Sequence, residues 1–232
     1  MKFIIKWGIR VLILAVVLVV AFFLSLDSIL RVVAEHNIRD QLGVDAEIGR
    51  FHMGLLDPVI QIENLKIYNP SNFDGTKFVE IPEIYVEYDR ETLKNSGQFH
   101  VTLARFNLSE LDIVKNESGE TNILSLGVTM PTKEELKKSK GLEKLSKKYN
   151  LKFTGIDVLN VSVGKFKYID LKDPKNNREQ ALDIQNQVIK NIKQPADLAG
   201  LVVLIALRSG DFLQSTLGPQ DSGLDSFKQM GF

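Results

Sequence analysis

LKFTGIDVLNVSVGKFKYID, residues Leu151 to Asp170, decides the fold. It is rich in β-branched and aromatic side chains. Its apolar residues come in pairs two apart: Leu151 and Phe153, Ile156 and Val158, Val161 and Val163, Phe166 and Tyr168. Period two is the mark of a half-buried strand. Between pairs the phase slips, and a one-residue slip carries the apolar set to the opposite face. Repeated slips predict bulges, bends or short breaks at which a long strand turns over.

Upstream, the texture repeats from Val44 onward in VDAEIGRFHM, PVIQIENLKIY, KFVEIPEIYVEYD and FHVTLARFNLSELDIV. Ile60 and Ile62 give way to Leu65 and Ile67. Val79 and Ile81 give way, after Pro82, to Ile84, Val86 and Tyr88. Val101 and Leu103 give way to Phe106 and Leu108, then to Leu111 and Ile113. A flat sheet with one dry face needs no such slips, whereas a strongly curled one does. The expectation is a mainly β fold with helices: long, kinked strands in a curled, U-shaped antiparallel sheet around an apolar interior. Pro82 cannot donate to a ladder, so it belongs at a break or an edge. Turn formers cluster at Asn69 to Gly75 and at Asn116 to Glu120.

Ahead of the sheet lies an address. Val11 to Leu26 is sixteen residues without a charge, with Lys2, Lys6 and Arg10 before it and Asp27 after it. A bilayer span takes ~20 apolar residues, and Trp7, Gly8 and Ile9 extend the run if the Arg10 guanidinium snorkels. The flanking cations leave the N-terminus in the cytoplasm and the rest of the chain across the membrane. The run ends in bulky Phe22, Phe23 and Leu24 rather than the small residues of a cleaved signal, so it reads as a retained anchor over residues 1–26.

Helical periodicity follows in SILRVVAEHNIRDQLG, with Gly43 as the stop. This helix, Asp27 to about Leu42, either continues the membrane helix or packs at the bilayer surface. The sheet domain then runs to residue 170. It is interrupted at residues 131–150 by PTKEELKKSKGLEKLSKKYN, a Lys-rich helix with Thr132 and Glu135 as its capping box. That helix faces either water or anionic headgroups. Residues 171–213 read as helical. Asn177 caps a helix with Leu182, Ile184, Val188, Ile189 and Ile192 on one face, and PADLAGLVVLIALR, too short to span a bilayer and apolar nearly all round, is expected to be buried, by plugging the sheet, docking against lipid or meeting another copy. Residues 214–232 form a loose tail.

Composition excludes several classes. There are 29 basic and 29 acidic residues and no cysteine among 232. That balance gives no case for nucleic acid, and no disulfide, thiolate or Cys-ligated metal is possible. His36, His52 and His100 are scattered. Asp170 and Asp173 beside Lys172 fall short of the six to eight oxygens that calcium takes. No nucleophile, base and orienting group can be named together, so no catalytic residue, metal or cofactor is expected.

The anchor and short helix, then LKIYNPSNFDG (Leu65 to Gly75), the alternation of Ile81 to Asp89, and Asn122-Ile123-Leu124 after a turn, occur in one order. Over about residues 1 to 170 this order resembles the N-terminal, chorein-like region of the AsmA-like proteins. The resemblance implies an inner-membrane, single-pass protein facing the periplasm. It implies an apolar β-groove that takes part in phospholipid transfer and outer-membrane lipid homeostasis. The chain is a short member, since six or seven strands at ~4.8 Å make a groove of only ~30 Å. The expected lipid-contact residues are Ile60, Ile62, Ile84, Val86, Val101, Leu103, Val158, Val161 and Val163. Phospholipid, the membrane, and a further copy or an envelope protein are the expected partners. A non-catalytic envelope scaffold is the alternative.

Overall fold

The computed structural model describes residues 26–40, 43–54, 57–125, 152–212 and 216. Helix α1 covers residues 26–40. Six strands follow: β1 (Ala46–Met53), β2 (Val59–Tyr68), β3 (Lys77–Tyr88), β4 (Gln98–Lys115), β5 (Lys152–Asp170) and β6 (Arg178–Ile192). They form one open sheet in sequence order. Helix α2 (Arg90–Ser96) joins β3 to β4, α3 (Asn122–Ser125) follows β4, and α4 (Ala199–Ser209) follows β6. Residues 1–25, which hold Trp7, Arg10 and Val11, lie outside the described residues, as do the Lys-rich stretch 131–150 and the tail from 214 apart from Thr216. Among the described residues no helix is long and apolar enough to cross a membrane.

Two expectations are corrected. The sheet is mixed rather than antiparallel, because β4 and β5 run parallel from Gln98 opposite Lys152 to Lys115 opposite Asp170. Residues 116–151 return the chain from one end of the pair to the other, the long connection that a parallel pair requires. Second, residues 178–192 are a strand, not an amphipathic helix. Leu182 and Ile184 alternate into the core. The register against β5 then shifts twice, near Asp183 and Asn186, both at positive φ. Each extra residue stretches the apolar spacing towards three or four and imitates a helical face. Asn177 caps no α-helix; its side-chain oxygen accepts the Asp170 N–H at 2.8 Å and closes the β5–β6 turn.

The slips themselves have a single cause. Asn64, at φ 54°, lies opposite Gly49 on one side and Pro82 on the other. One residue along, the line continues through Ser109 and Gly164, neighbours across β4 and β5, and reaches Asp183 on β6. Every strand therefore carries a glycine, a proline, a serine or a left-handed residue where one line crosses the sheet. Across it the apolar spacing is three, yet both members of each pair pack into one core: Ile48 with Phe51, Ile62 with Leu65, Ile81 with Ile84, Leu108 with Leu111, Val163 with Phe166. The sheet bends along this line and keeps its apolar side on one face.

Helices cover that face from its two edges. Ala34 and Ile38 of α1 pack over β1 to β3, and Leu201, Leu204 and Ile205 of α4 pack with Phe212 over β5 and β6. Phe106, Leu108, Leu111 and Ile123 belong to both clusters and join them. α4 was expected to be buried all round; Leu201 to Ala206 are only half-buried, and Leu207 is 75% exposed. α1 ends as its sequence predicts, with Gly43 at φ 67° and its N–H bonded to the Arg39 carbonyl. It also blocks the β1 edge: the Ile48 N–H donates to Glu35 at 2.8 Å and the Met53 N–H to Asp27 at 3.4 Å.

Candidate functional site

The registers stack the apolar face into rows that cross the whole sheet. One row reads Met53, Ile60, Val86, Ala104, Leu159, Ile189. The next reads Phe51, Ile62, Ile84, Phe106, Val161 and then Gln187. Beyond the bend, Ala46, Ile48, Leu65, Val79 and Ile81 are sealed beneath α1 and the turns. The first row is the open one: Met53 is 40% exposed, and Ile60, Val86, Leu159 and Ile189 are half-buried. This end of the face adjoins the start of α1, because Asp27 accepts from the Met53 N–H and lies 3.0 Å from the His52 ring nitrogen Nδ1.

The nine expected lipid-contact residues divide three ways. Ile60, Ile62, Ile84 and Val86 lie together on the apolar face and are half-buried. Val161 and Val163 share that face but are core, at 4% and 3% exposure, and Val101, beyond a register shift near Tyr88, is also buried. Leu103 and Val158 are cross-strand partners one place out of phase with Ala104 and Leu159, so they point to the opposite surface. Leu159 and Ile189 complete the open row, and Phe51 and Phe106 the row beside it. Phe106 was visible in the alternation; Leu159 was passed over for its neighbour Val158, and Ile189 was assigned to the face of an expected helix.

The opposite face is charged. Arg105 holds Glu83 at 2.9 Å and stacks 3.9 Å above the Tyr85 ring centre. Farther along, Lys77, Lys165 and Lys167 converge on Glu110 at 2.7, 3.4 and 2.7 Å. Burial raises the Glu110 carboxyl, but hydrogen bonds from Lys167 and Lys77 outweigh it and hold the group at about 2. Its neighbour Asp112 is pushed up to about 6, first by burial and then by the charge of Glu110; its Oδ1 is buried without a hydrogen bond. No family model, no curated protein and no solved structure matches this chain.

What chemistry does this arrangement allow? The fully buried Asn122 accepts from the Val114 and Ile123 N–H groups and donates to Asn69 and the Asp112 carbonyl, a structural clamp. Asp170 accepts from the N–H groups of Asp173 and Lys172 and from the Asn176 amide, which together hold its carboxyl below the usual range. It is a turn cap. His100 bridges Thr154 at 3.0 Å and Asp157 at 3.1 Å on the neighbouring strand. Among the described residues no three of His, Asp and Glu group as a metal site would. The half-open apolar rows are the feature of this arrangement whose chemistry suits an apolar ligand.

Proposed function

We propose that this protein is a membrane-anchored, AsmA-like lipid-handling protein of the periplasm that shelters phospholipid acyl chains against the open apolar rows and takes part in outer-membrane lipid homeostasis. One observation carries the reading. A row of apolar side chains, Met53, Ile60, Val86, Ala104, Leu159 and Ile189, crosses the sheet at the end where α1 begins; Ala104 in its middle is buried, and the other five are half-buried or exposed. The ordered resemblance over residues 1 to 170 and the uncharged run Val11 to Leu26 support it.

The mechanism is passive. An acyl chain passes from one apolar surroundings to another, so its transit costs little, while the headgroup stays in water. Each methylene kept dry is worth ~0.8 kcal/mol, so even a partial shelter for a few methylenes outweighs thermal energy. Neither a catalytic group nor a cofactor has a part in this.

A photoreactive side chain placed at Val86 or Ile60 in the full chain, in phospholipid vesicles, tests the proposal. Cross-linked phospholipid at these positions, and none at Leu103 on the opposite face, is the expected result. Equal labelling at Val86 and Leu103, or labelling by another protein alone, favours the envelope-scaffold reading.

A further inference from the structure

The exposed side of α1 changes character along its length. In its first two turns the exposed residues are Ser28 and the apolar Ile29, Val32 and Val33, these three at 48, 57 and 49% exposure. In the next turns they are His36, Asn37, Arg39 and Asp40. Of the charges in these turns, Asp27 is paired with His52 and the Met53 N–H while its side chain stays 42% exposed, and Arg31 is half-buried with its Nε out of solvent. Met53, another exposed apolar residue, sits beside Asp27 at the same end. An apolar collar is therefore followed by a polar one on the same helix.

We infer that Ile29, Val32, Val33 and Met53 are seated in the near leaflet of the phospholipid bilayer, with the water boundary crossing α1 between Val33 and His36. The occupant is chosen by what precedes the helix. The uncharged run Val11 to Leu26 ends where α1 starts, and its sixteen residues reach only ~24 Å as a helix, short of the ~30 Å hydrocarbon core. Continuing the apolar surface to Val33 adds seven residues and brings the length to ~34 Å, which spans the core. Trp7, Gly8 and Ile9 extend the run on its other side; on this side Ile29, Val32 and Val33 of α1 carry the apolar surface past Leu26. This seating also sets the open row, Met53 to Ile189, beside the acyl region. This inference rests on the anchor and lipid-handling reading above and deepens it.

The chain lacks cysteine, so single-cysteine variants of the full protein can each carry one nitroxide. The sites are Ile29→Cys, Val33→Cys and Met53→Cys, with His36→Cys and Lys175→Cys for comparison, in vesicles of phosphatidylethanolamine and phosphatidylglycerol. The ratio of oxygen to nickel-chelate collision rates reports depth. It is expected to be several-fold higher at positions 29, 33 and 53 than at 36 and 175. Equal ratios at all five overturn the seating. So does dipolar broadening at position 33 that disappears on dilution with unlabelled protein, which would mark a second copy on the collar. Aqueous ratios combined with lipid still cross-linking to Val86 overturn the seating alone; lipid-phase ratios without lipid at Val86 overturn the groove and leave the seating standing.

Discussion

A Cβ atom placed on Gly164 would lie 2.4 Å from the carbonyl oxygen of Ser109 on the neighbouring strand. Backbone meets backbone there, so no side-chain rotation relieves the contact. The two residues form the β4–β5 segment of the line along which the whole sheet bends. Gly164→Ala should therefore destabilise the protein by at least the ~1–3 kcal/mol typical of overpacking. Gly200, inside the N-terminal turn of α4, has no heavy atom within 4 Å of such a Cβ. Gly200→Ala should stabilise by ~0.5–1 kcal/mol. Urea unfolding of the two variants, compared with the parent, checks both signs.

Asn122 is wholly buried and satisfies groups on three segments of chain. Asn122→Ala leaves the Val114 N–H and the Asn69 side-chain oxygen without that partner. A cost of ~3 kcal/mol or more is expected, since each stranded polar group costs ~1–3 kcal/mol. The loss appears as a lower urea midpoint with an unchanged slope.

The two carboxylates of β4 predict opposite pH behaviour. Glu110 titrates at about 2, below its ordinary value, so its contribution is present above pH 4.5 and is lost as the pH falls towards 2. Glu110→Gln should cost on the order of 2 kcal/mol near neutrality, and this cost should fade in acid. Asp112, pushed up to about 6, favours the fold when protonated; that contribution is full below 3.8 and is lost as the pH rises through 6. Asp112→Asn should be more stable than the parent at pH 7, again by on the order of 2 kcal/mol, and should match it near pH 3.5. Because the charge of Glu110 helps raise Asp112, the gain should shrink in a Glu110→Gln background. Thermal unfolding between pH 3 and 8 separates the three.

Val161 and Val86 lie on one face but differ in cover, so truncation should separate core from groove. Val161→Ala, at a site 4% exposed, should cost ~1–2 kcal/mol. Val86→Ala, half-buried, should cost less than half of that in stability and reduce lipid cross-linking from Ile60, its partner on β2. Unfolding and cross-linking yields on the same preparations make the comparison.

Much of this architecture is legible in the pattern of residues. Slips at Asn64, Pro82, Ser109 and Gly164 are visible as breaks in alternation, and each marks the bend. Their alignment into one line is not visible, because it depends on registers that no single strand encodes. The slips read after Leu103 and Val158 are of another kind: these two residues simply face the charged side. β6 was mistaken for a helix because its extra residues at Asp183 and Asn186 erase the period of two. The parallel β4–β5 pair had a signal that went unused, the long connection over residues 116–151. α2 is seven residues with no apolar stripe, and only Asp89, which accepts from the Thr92 N–H, marks its start. Of the site, the residues around Ile60 and Val86 were readable from alternation, while the exposure that distinguishes them from Val161 and Val163 depends on where the two covering helices come to lie.

The carboxylates of Glu35 and Asp27 occupy backbone donors on the outer side of β1, whereas β6, the sheet's other margin, is interrupted by left-handed Asp183, Asn186 and Asn191. Head-to-tail stacking, in which the β6 of one molecule continues into the β1 of the next, is therefore closed to it. Joining β6 to β6 meets the same interruptions twice, so both margins resist pairing with a further strand. Under the proposed lipid-sheltering role, the length of the apolar rows is then set by the six strands of one molecule rather than by strand-paired copies.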